Sequence, residues 1–190
     1  GGNNDGFITT TFGLSWMRKP NRDIDNDGLY TNQEKEHGTN PQMADTDQDG
    51  LNDGAEVQTY QTNPLKSDSD NDGLLDADEI QRYKTNAMLA DSDNDGLSDQ
   101  QEIIKFKTNP LKKDSDGDAL TDASEIRQHK TNPLMADSDA DGIHDGEEIQ
   151  KYGTDPTIAD SDKDGLSDGE ELLKYKTNPI VADTDAGSVS

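Results

Sequence analysis

Apolar residues return along this chain at a fixed interval, and each return is too small to make a core by itself. Leu29, Leu51, Leu74, Leu97, Leu120, Ile143 and Leu166 form one series, and Val57, Ile80, Ile103, Ile126, Ile149 and Leu172 a second. A third, mostly aromatic, contains Tyr60, Tyr83, Phe106, Tyr152 and Tyr175, and one or two apolar residues such as Leu65, or Met88 and Leu89, come later in each unit. The stretch from the second series to the third, residues 79–84 for example, predicts a helix of at most about two turns, too short to persist alone in water. A turn follows it: Thr62-Asn63-Pro64, Thr108-Asn109-Pro110, Thr131-Asn132-Pro133 and Thr177-Asn178-Pro179. Proline there forbids helical continuation and biases the preceding Asn towards extended backbone. Such a unit carries a seam, not a core. Neighbouring units must stack to bury it, as in other quasi-one-dimensional repeat proteins.

The units begin at Asp23, Asp45, Asp68, Asp91, Asp114, Asp137 and Asp160, spaced by 22 residues once and 23 thereafter. Residues 23–182 are thus seven tandem repeats, and residues 183–190 a truncated eighth that keeps Asp183 and Asp185. The abrupt end suggests that more chain follows. Residues 1–22 differ. Ile8, Thr10, Phe12, Leu14 and Trp16 alternate as on one face of a strand. Nothing else in the chain resembles a sheet partner, so a partner from outside the array is expected. Three readings stand: the last strand of a membrane β-barrel with Trp16 in its aromatic girdle and Arg18-Lys19 beyond, a strand donated to a neighbouring subunit in a filament, or a strand lying on the first repeat. The expected fold is solenoid-like: tandem EF-hand-like loops, each followed by a short helix, stacked into an extended rod with little β apart from that N-terminal strand.

Composition sharpens the problem. Only 27% of residues are hydrophobic, and the formal net charge is −25. Chains of this kind normally cannot bury enough apolar surface to offset ordering entropy. Composition alone leaves two options, disorder or a fold held by something other than a hydrophobic core, and a bound divalent cation would both neutralise repulsion and cross-link. The charge argues against nucleic acid and anionic membrane surfaces as partners. The absence of cysteine excludes disulfides and thiolate metal sites. No apolar run approaches the roughly 18 residues of a membrane-spanning helix.

Each repeat opens with Asp-x-Asp-x-Asp-Gly and places Glu at its twelfth position. Calcium takes six to eight oxygen ligands, and a 12-residue loop can supply them from positions 1, 3, 5, 7, 9 and 12 around a turn at the position-6 glycine. The candidate ligands are therefore Asp45, Asp47, Asp49, Leu51 (by its carbonyl), Asp53 and Glu56, and likewise Asp68, Asp70, Asp72, Leu74, Asp76 and Glu79. Asp91, Asp93, Asp95, Leu97, Asp99 and Glu102 follow, then Asp137, Asp139, Asp141, Ile143, Asp145 and Glu148, and Asp160, Asp162, Asp164, Leu166, Asp168 and Glu171. Two copies deviate. The first has Asp23, Asp25, Asp27, Leu29 and Glu34 but Thr31 at position 9. The fifth has Asp114, Asp116, Asp118, Leu120, Asp122 and Glu125 but Ala119 in place of Gly. Alanine in left-handed backbone costs about 1 kcal/mol or more, so loop 5 is expected to be the weakest or most distorted. Magnesium prefers few carboxylates and retained waters. Transition metals would want His or Cys, and His37, His129 and His144 follow no evident period.

Position 9 has a second reading. With the Glu at position 12 it matches a helix capping box, so it either ligates, directly or through water, or caps. The aromatic series is read as seam packing ahead of a carbohydrate platform. No nucleophile–base pair, phosphate loop or zinc signature points to an enzyme. About seven calcium ions are expected, possibly more. Fourteen positive charges from seven ions would turn −25 into −11, and the calcium-free chain is expected to be substantially disordered.

At these residues the chain resembles thrombospondin type-3 repeats, whose motif is DxDxDGxxDxxD/E, over about residues 23–185. It lacks the cysteines of the animal versions and carries Glu at position 12, which makes it look bacterial. Similar cysteine-free arrays occur in surface and outer-membrane proteins, including the outer-membrane protein A family, where they link a barrel to a periplasmic domain. The resemblance implies calcium at the first, third and fifth aspartates, Asp91, Asp93 and Asp95 for example; some family members hold more than one ion per unit. The expected role is a rigid extracellular stalk, spacer or fibre subunit, partnered by calcium and by other copies or an attached barrel. The alternatives are an adhesin that binds glycan and the periplasmic linker of a porin-like protein. Millimolar extracellular calcium suits weak to moderate sites, which places the chain at the cell surface or outer membrane.

Overall fold

A computed structural model describes residues 21–182. The alternating segment and the truncated eighth repeat lie outside the described residues. Within them the chain is one unit repeated: loop, short helix, turn. Consecutive units stack in line, and among the described residues there is no strand.

Each loop winds around the first aspartate. Asp68 accepts the Asn71 N–H on Oδ1 (2.7 Å) and the Gly73 N–H on Oδ2 (3.1 Å), and the same pair of bonds recurs at Asp91. Two residues take positive φ. Position 4 sits in the ordinary left-handed well, near +65° in Asn71, where Asn is tolerated. Position 6 opens wider, from +99° to +109° in its six glycines, beyond where a side chain sits comfortably.

The single change of repeat length is absorbed in the helix. The 22-residue first repeat forms a regular α-helix, Thr31–His37, closed by Gly38 N–H on the Glu34 carbonyl. In the 23-residue repeats the extra residue widens the turn to i→i+5 bonds, as in Lys84 N–H to the Glu79 carbonyl (2.6 Å). An α turn such as Asp76–Asp78 therefore runs into a π-helical segment, Glu79–Tyr83. The same occurs at Glu56–Tyr60, Gln101–Phe106, Glu125–His129, Glu148–Tyr152 and Glu170–Tyr175. A left-handed residue ends each. Where it is lysine, as at Lys84, its ammonium folds back to cap the helix carbonyls of Ile80 and Gln81.

Stacking is built from carboxylate as much as from apolar surface. Position 7 is the apolar centre: Leu29, Leu51, Leu74, Leu97, Leu120 and Ile143 are buried. Position 13 is only half-buried. The aromatic row differs from the sequence expectation, since Tyr60 and Tyr175 are exposed and Tyr83, Phe106 and Tyr152 half-buried. A cation lies over several of these rings: Arg82 on Tyr83 (4.9 Å), Lys105 on Phe106 (4.6 Å), Lys151 on Tyr152 and Lys174 on Tyr175 (both 4.5 Å). His129 occupies this same register position and is half-buried, so one histidine does follow the period, while His37 and His144 are exposed. The seam is narrow because the interior is taken by acids: Glu34, Glu56, Glu79, Glu102, Glu125, Glu148 and Glu171 have no exposed surface, nor do the position-9 aspartates.

Candidate metal centres

The first, third and fifth aspartates of a loop converge. Carboxylate oxygens of Asp23, Asp25 and Asp27 lie within 4.8 Å of one another, as do those of the Asp45, Asp68, Asp91 and Asp114 triads. Position 3 is tied down by one oxygen and leaves the other bare. Asp70 Oδ1 accepts the Asp72 N–H (3.1 Å), while Oδ2 is buried without a donor. Position 12 is alike. Glu79 Oε1 accepts the Thr85 hydroxyl (3.0 Å), and Oε2 is buried without a donor. This bare pair recurs in every repeat: Oδ2 of Asp25, Asp47, Asp70, Asp93, Asp116, Asp139 and Asp162, with Oε2 of Glu34, Glu56, Glu79, Glu102, Glu125, Glu148 and Glu171. In repeat 1 the threonine serves the backbone instead, Thr39 donating to the Glu34 carbonyl oxygen, and both carboxylate oxygens of Glu34 and of Asp25 are bare, as are both of Glu148 in repeat 6.

The electrostatics agree with the geometry. Burial, then the neighbouring aspartates, pushes Glu56, Glu79, Glu102 and Glu125 up to about 8, and Glu34 up to about 7. Glu148 is pushed to about 8, again chiefly by burial. Burial is the first cause at position 3 as well, where Asp47, Asp70, Asp93, Asp116 and Asp139 are pushed up to about 6. A buried carboxylate oxygen with no donor is costly, and a hard cation between the two removes the cost. The residues present therefore fit calcium: position 1, 3, 5 and 12 carboxylates supply hard oxygen, without the nitrogen or sulfur that transition metals favour.

Position 9 has another employment. Asp76 accepts the Ser69 N–H on Oδ1 (2.7 Å) and the Ser69 hydroxyl on Oδ2 (2.6 Å). Thr46–Asp53, Ser92–Asp99, Ser115–Asp122, Ser138–Asp145 and Ser161–Asp168 repeat the arrangement. These aspartates brace the loop from behind. Nor do they cap the helix: the N-cap is position 8, Leu75 in repeat 3, and Asp76 is the first helical residue. The exception in the first repeat is paired. Where Thr31 replaces Asp, exposed Ile24 replaces the position-2 hydroxyl, and Thr31 donates to the Arg22 carbonyl instead. Of the two hydroxyl positions that recur with the period, 18 reads in sequence only as the start of the turn and 2 carries no reading at all. Periodic Ser/Thr beside periodic Asp and Glu was the available signal.

Loop 5 is less distorted than its composition suggests. Ala119 adopts φ +79° and still donates its N–H to Asp114 Oδ2 (3.0 Å). Gly117, two residues earlier, supplies the other left-handed residue at φ +89°.

Tandem loops that each bury donor-less carboxylate oxygens around an acidic triad define a cation-binding repeat protein. The chain belongs to the bacterial TSP3 repeat family, which matches residues 23–44, 45–67, 68–86, 91–113, 114–136, 137–158 and 160–182. Repeats of this family are calcium-binding. No curated protein matches the chain. Among solved structures, the B domain of a biofilm associated protein is 42% identical over 25% of this chain and 11% of that one, with TM-score 0.24. The BSP domain of a biofilm associated protein is 37% identical over 23% and 7%, with TM-score 0.23. The chain thus spans only a small part of either, and similarity at that level says nothing about overall shape.

Proposed function

We propose that the array is a stalk or spacer stiffened by calcium, with one ion held in each of the seven loops by positions 1, 3, 5 and 12 and the position-7 carbonyl. The observation that carries this reading is the bare buried oxygen pair, present in every repeat. The position-9 aspartates hold the loop in shape behind the ion. Calcium supplies the charge that lets those oxygens stay ionised and buried; the chain supplies the stacking. Because neighbouring units share hydrogen bonds, ordering every loop extends the whole array, which suits a spacer or a fibre subunit outside the cytoplasm, where calcium is abundant. Nothing in this role requires catalysis.

The test is a calcium titration of the chelator-treated chain by calorimetry, followed by small-angle X-ray scattering. Seven or more ions per chain and a change from coil to narrow rod are expected. No binding, or identical scattering with and without calcium, would end this reading.

A further inference from the structure

Each loop is finished by the repeat that follows it. The position-5 aspartate uses Oδ1 within its own loop, as Asp49 does for the Leu51 N–H (2.6 Å). Its Oδ2 reaches across the junction to the backbone N–H at position 10 of the next repeat. All six junctions among the described residues have this bond: Gly54 to Asp27 (3.1 Å), Ala77 to Asp49 (3.2 Å), Gln100 to Asp72 (2.8 Å), Ala123 to Asp95 (2.9 Å), Gly146 to Asp118 (3.0 Å) and Gly169 to Asp141 (2.7 Å). The donor lies in the first helical turn, where backbone N–H groups have no partner within the helix. That same turn carries Glu at position 12 two residues later. One turn of backbone therefore touches a carboxylate of the preceding centre and supplies a carboxylate of its own.

We infer that the position-10 peptide of each repeat is a positioning group for the calcium centre of the repeat before it, so that affinity is coupled along the array with a fixed direction. The inference rests on the proposed calcium sites. An ion in one loop orders its position-12 glutamate, hence the helical turn, hence the N–H that aims the position-5 aspartate of the loop before. A repeat also touches the loop after it, but through the brace: the Asn63 N–H donates to Ser69 Oγ, which serves Asp76. The upstream effect acts on a ligand and the downstream one on a support, so the upstream effect is the larger. Ala77, Gln100 and Ala123 make this bond with a side chain at position 10, whereas the junctions that have glycine there are packed more closely. A Cβ on Gly54 would lie 2.1 Å from the Asp27 carbonyl oxygen, on Gly146 2.1 Å from that of Asp118, and on Gly169 2.0 Å from that of Asp141.

Two variants of the full chain separate this from a plain folding defect, because each change sits in one repeat and is read in another. Ala77→Pro removes the N–H within a first helical turn, where proline is tolerated. Ala123→Pro removes the equivalent N–H at a second junction, the one that serves Asp95 of loop 4. Calcium is titrated by NMR, following the position-6 amides Gly50 and Gly73 as reporters of loops 2 and 3, and Gly96 and Ala119 as reporters of loops 4 and 5. Ala77→Pro is expected to weaken loop 2 by about tenfold or more, about 1.4 kcal/mol, and loop 3 by less. Ala123→Pro is expected to weaken loop 4 more than loop 5. An unchanged preceding loop, or a larger loss in the mutated repeat itself, overturns the coupling while leaving the calcium sites intact. If wild-type reporters do not respond to calcium at all, the sites themselves fail first, and the coupling with them.

Discussion

Replacing Glu79 by Gln is expected to move the stability of repeat 3 in opposite directions with and without calcium. In the ion-free fold Glu79 is pushed from its ordinary 4.5 to about 8 by burial, then by the charge of Asp70. A carboxylate raised this way makes the folded state hold a proton that the unfolded chain has released. Stability therefore falls as pH rises through the window from about 4.5 to 8. At pH 7 the penalty spans two and a half pH units at about 1.36 kcal/mol each, about 3 kcal/mol. Glutamine has no such penalty. Its carbonyl can keep the Thr85 hydroxyl, and its amide can donate towards Asp70, whose Oδ2 has no donor. In chelator at pH 7 the variant should show more helix by circular dichroism and slower hydrogen exchange in repeat 3. With calcium it should lose one ion by calorimetry, or bind it at least about tenfold more weakly, about 1.4 kcal/mol. A variant less ordered than wild type in chelator, or one retaining full calcium stoichiometry and affinity, would refute the reasoning that this glutamate is an ion ligand held at the cost of its own burial.

Three further predictions use the same centres. Lowering the pH of the ion-free chain from 8 to 5 should increase its helix content, because Glu56, Glu79, Glu102, Glu125 and Glu148 are raised to about 8 and take up protons across that range. Calcium affinity should fall over the same interval as protons compete for the ligands, so calorimetry showing pH-independent affinity would count against these carboxylates as ligands. Ala119→Gly should tighten loop 5 by a factor of about two to five. It relieves about 1–2 kcal/mol of left-handed strain and returns about 0.4–1 kcal/mol of unfolded-chain entropy. Weaker binding in that loop would show that φ +79° at Ala119 carries no strain.

Much of this architecture is written in the period. Asp at positions 1, 3 and 5, Leu or Ile at 7 and Glu at 12 recur so regularly that loop, ligand type and stacking follow from spacing alone. The π-helical segments do not follow from composition. They follow from the one-residue difference between the first repeat and the rest, visible in the sequence but meaningful only once Gly38 is seen to bond Glu34 where Lys84 bonds Glu79 one residue further away. Position 9 is ambiguous in sequence because aspartate before a helix suits three roles: ligand, cap and brace. Its bonds to Ser69 show the brace, which spacing alone does not. The aromatic row packs less than its period suggests: Tyr60 and Tyr175 are exposed, and Tyr83 and Phe106 are half-buried with Arg82 and Lys105 over their rings. The junction bond from position 10 is invisible in sequence, since any residue except proline offers the same N–H.

The balance within one repeat explains why an ion has to be part of the fold. Burying one leucine such as Leu74 contributes about 1.5–3 kcal/mol, and it is the main apolar side chain that each unit hides. Against it, burying Glu79 at pH 7, where it takes up a proton because its shift runs from 4.5 to about 8, costs about 3 kcal/mol. Asp70, raised from 3.8 to about 6, adds up to about 3 kcal/mol more. Part of that second penalty is the same mutual repulsion seen from the other side, and water at its half-buried face screens it further. Even so, the acids cancel the leucine before any backbone entropy is counted. A unit stacked on its neighbour without an ion thus gains little or nothing, and adding units does not help, since each brings its own bare oxygens. A cation reverses the sign of the largest unfavourable contribution in every repeat at once. Rigidity of the array is then a function of calcium concentration, and the acidic interior, which looks like a defect in a core, is what makes it so.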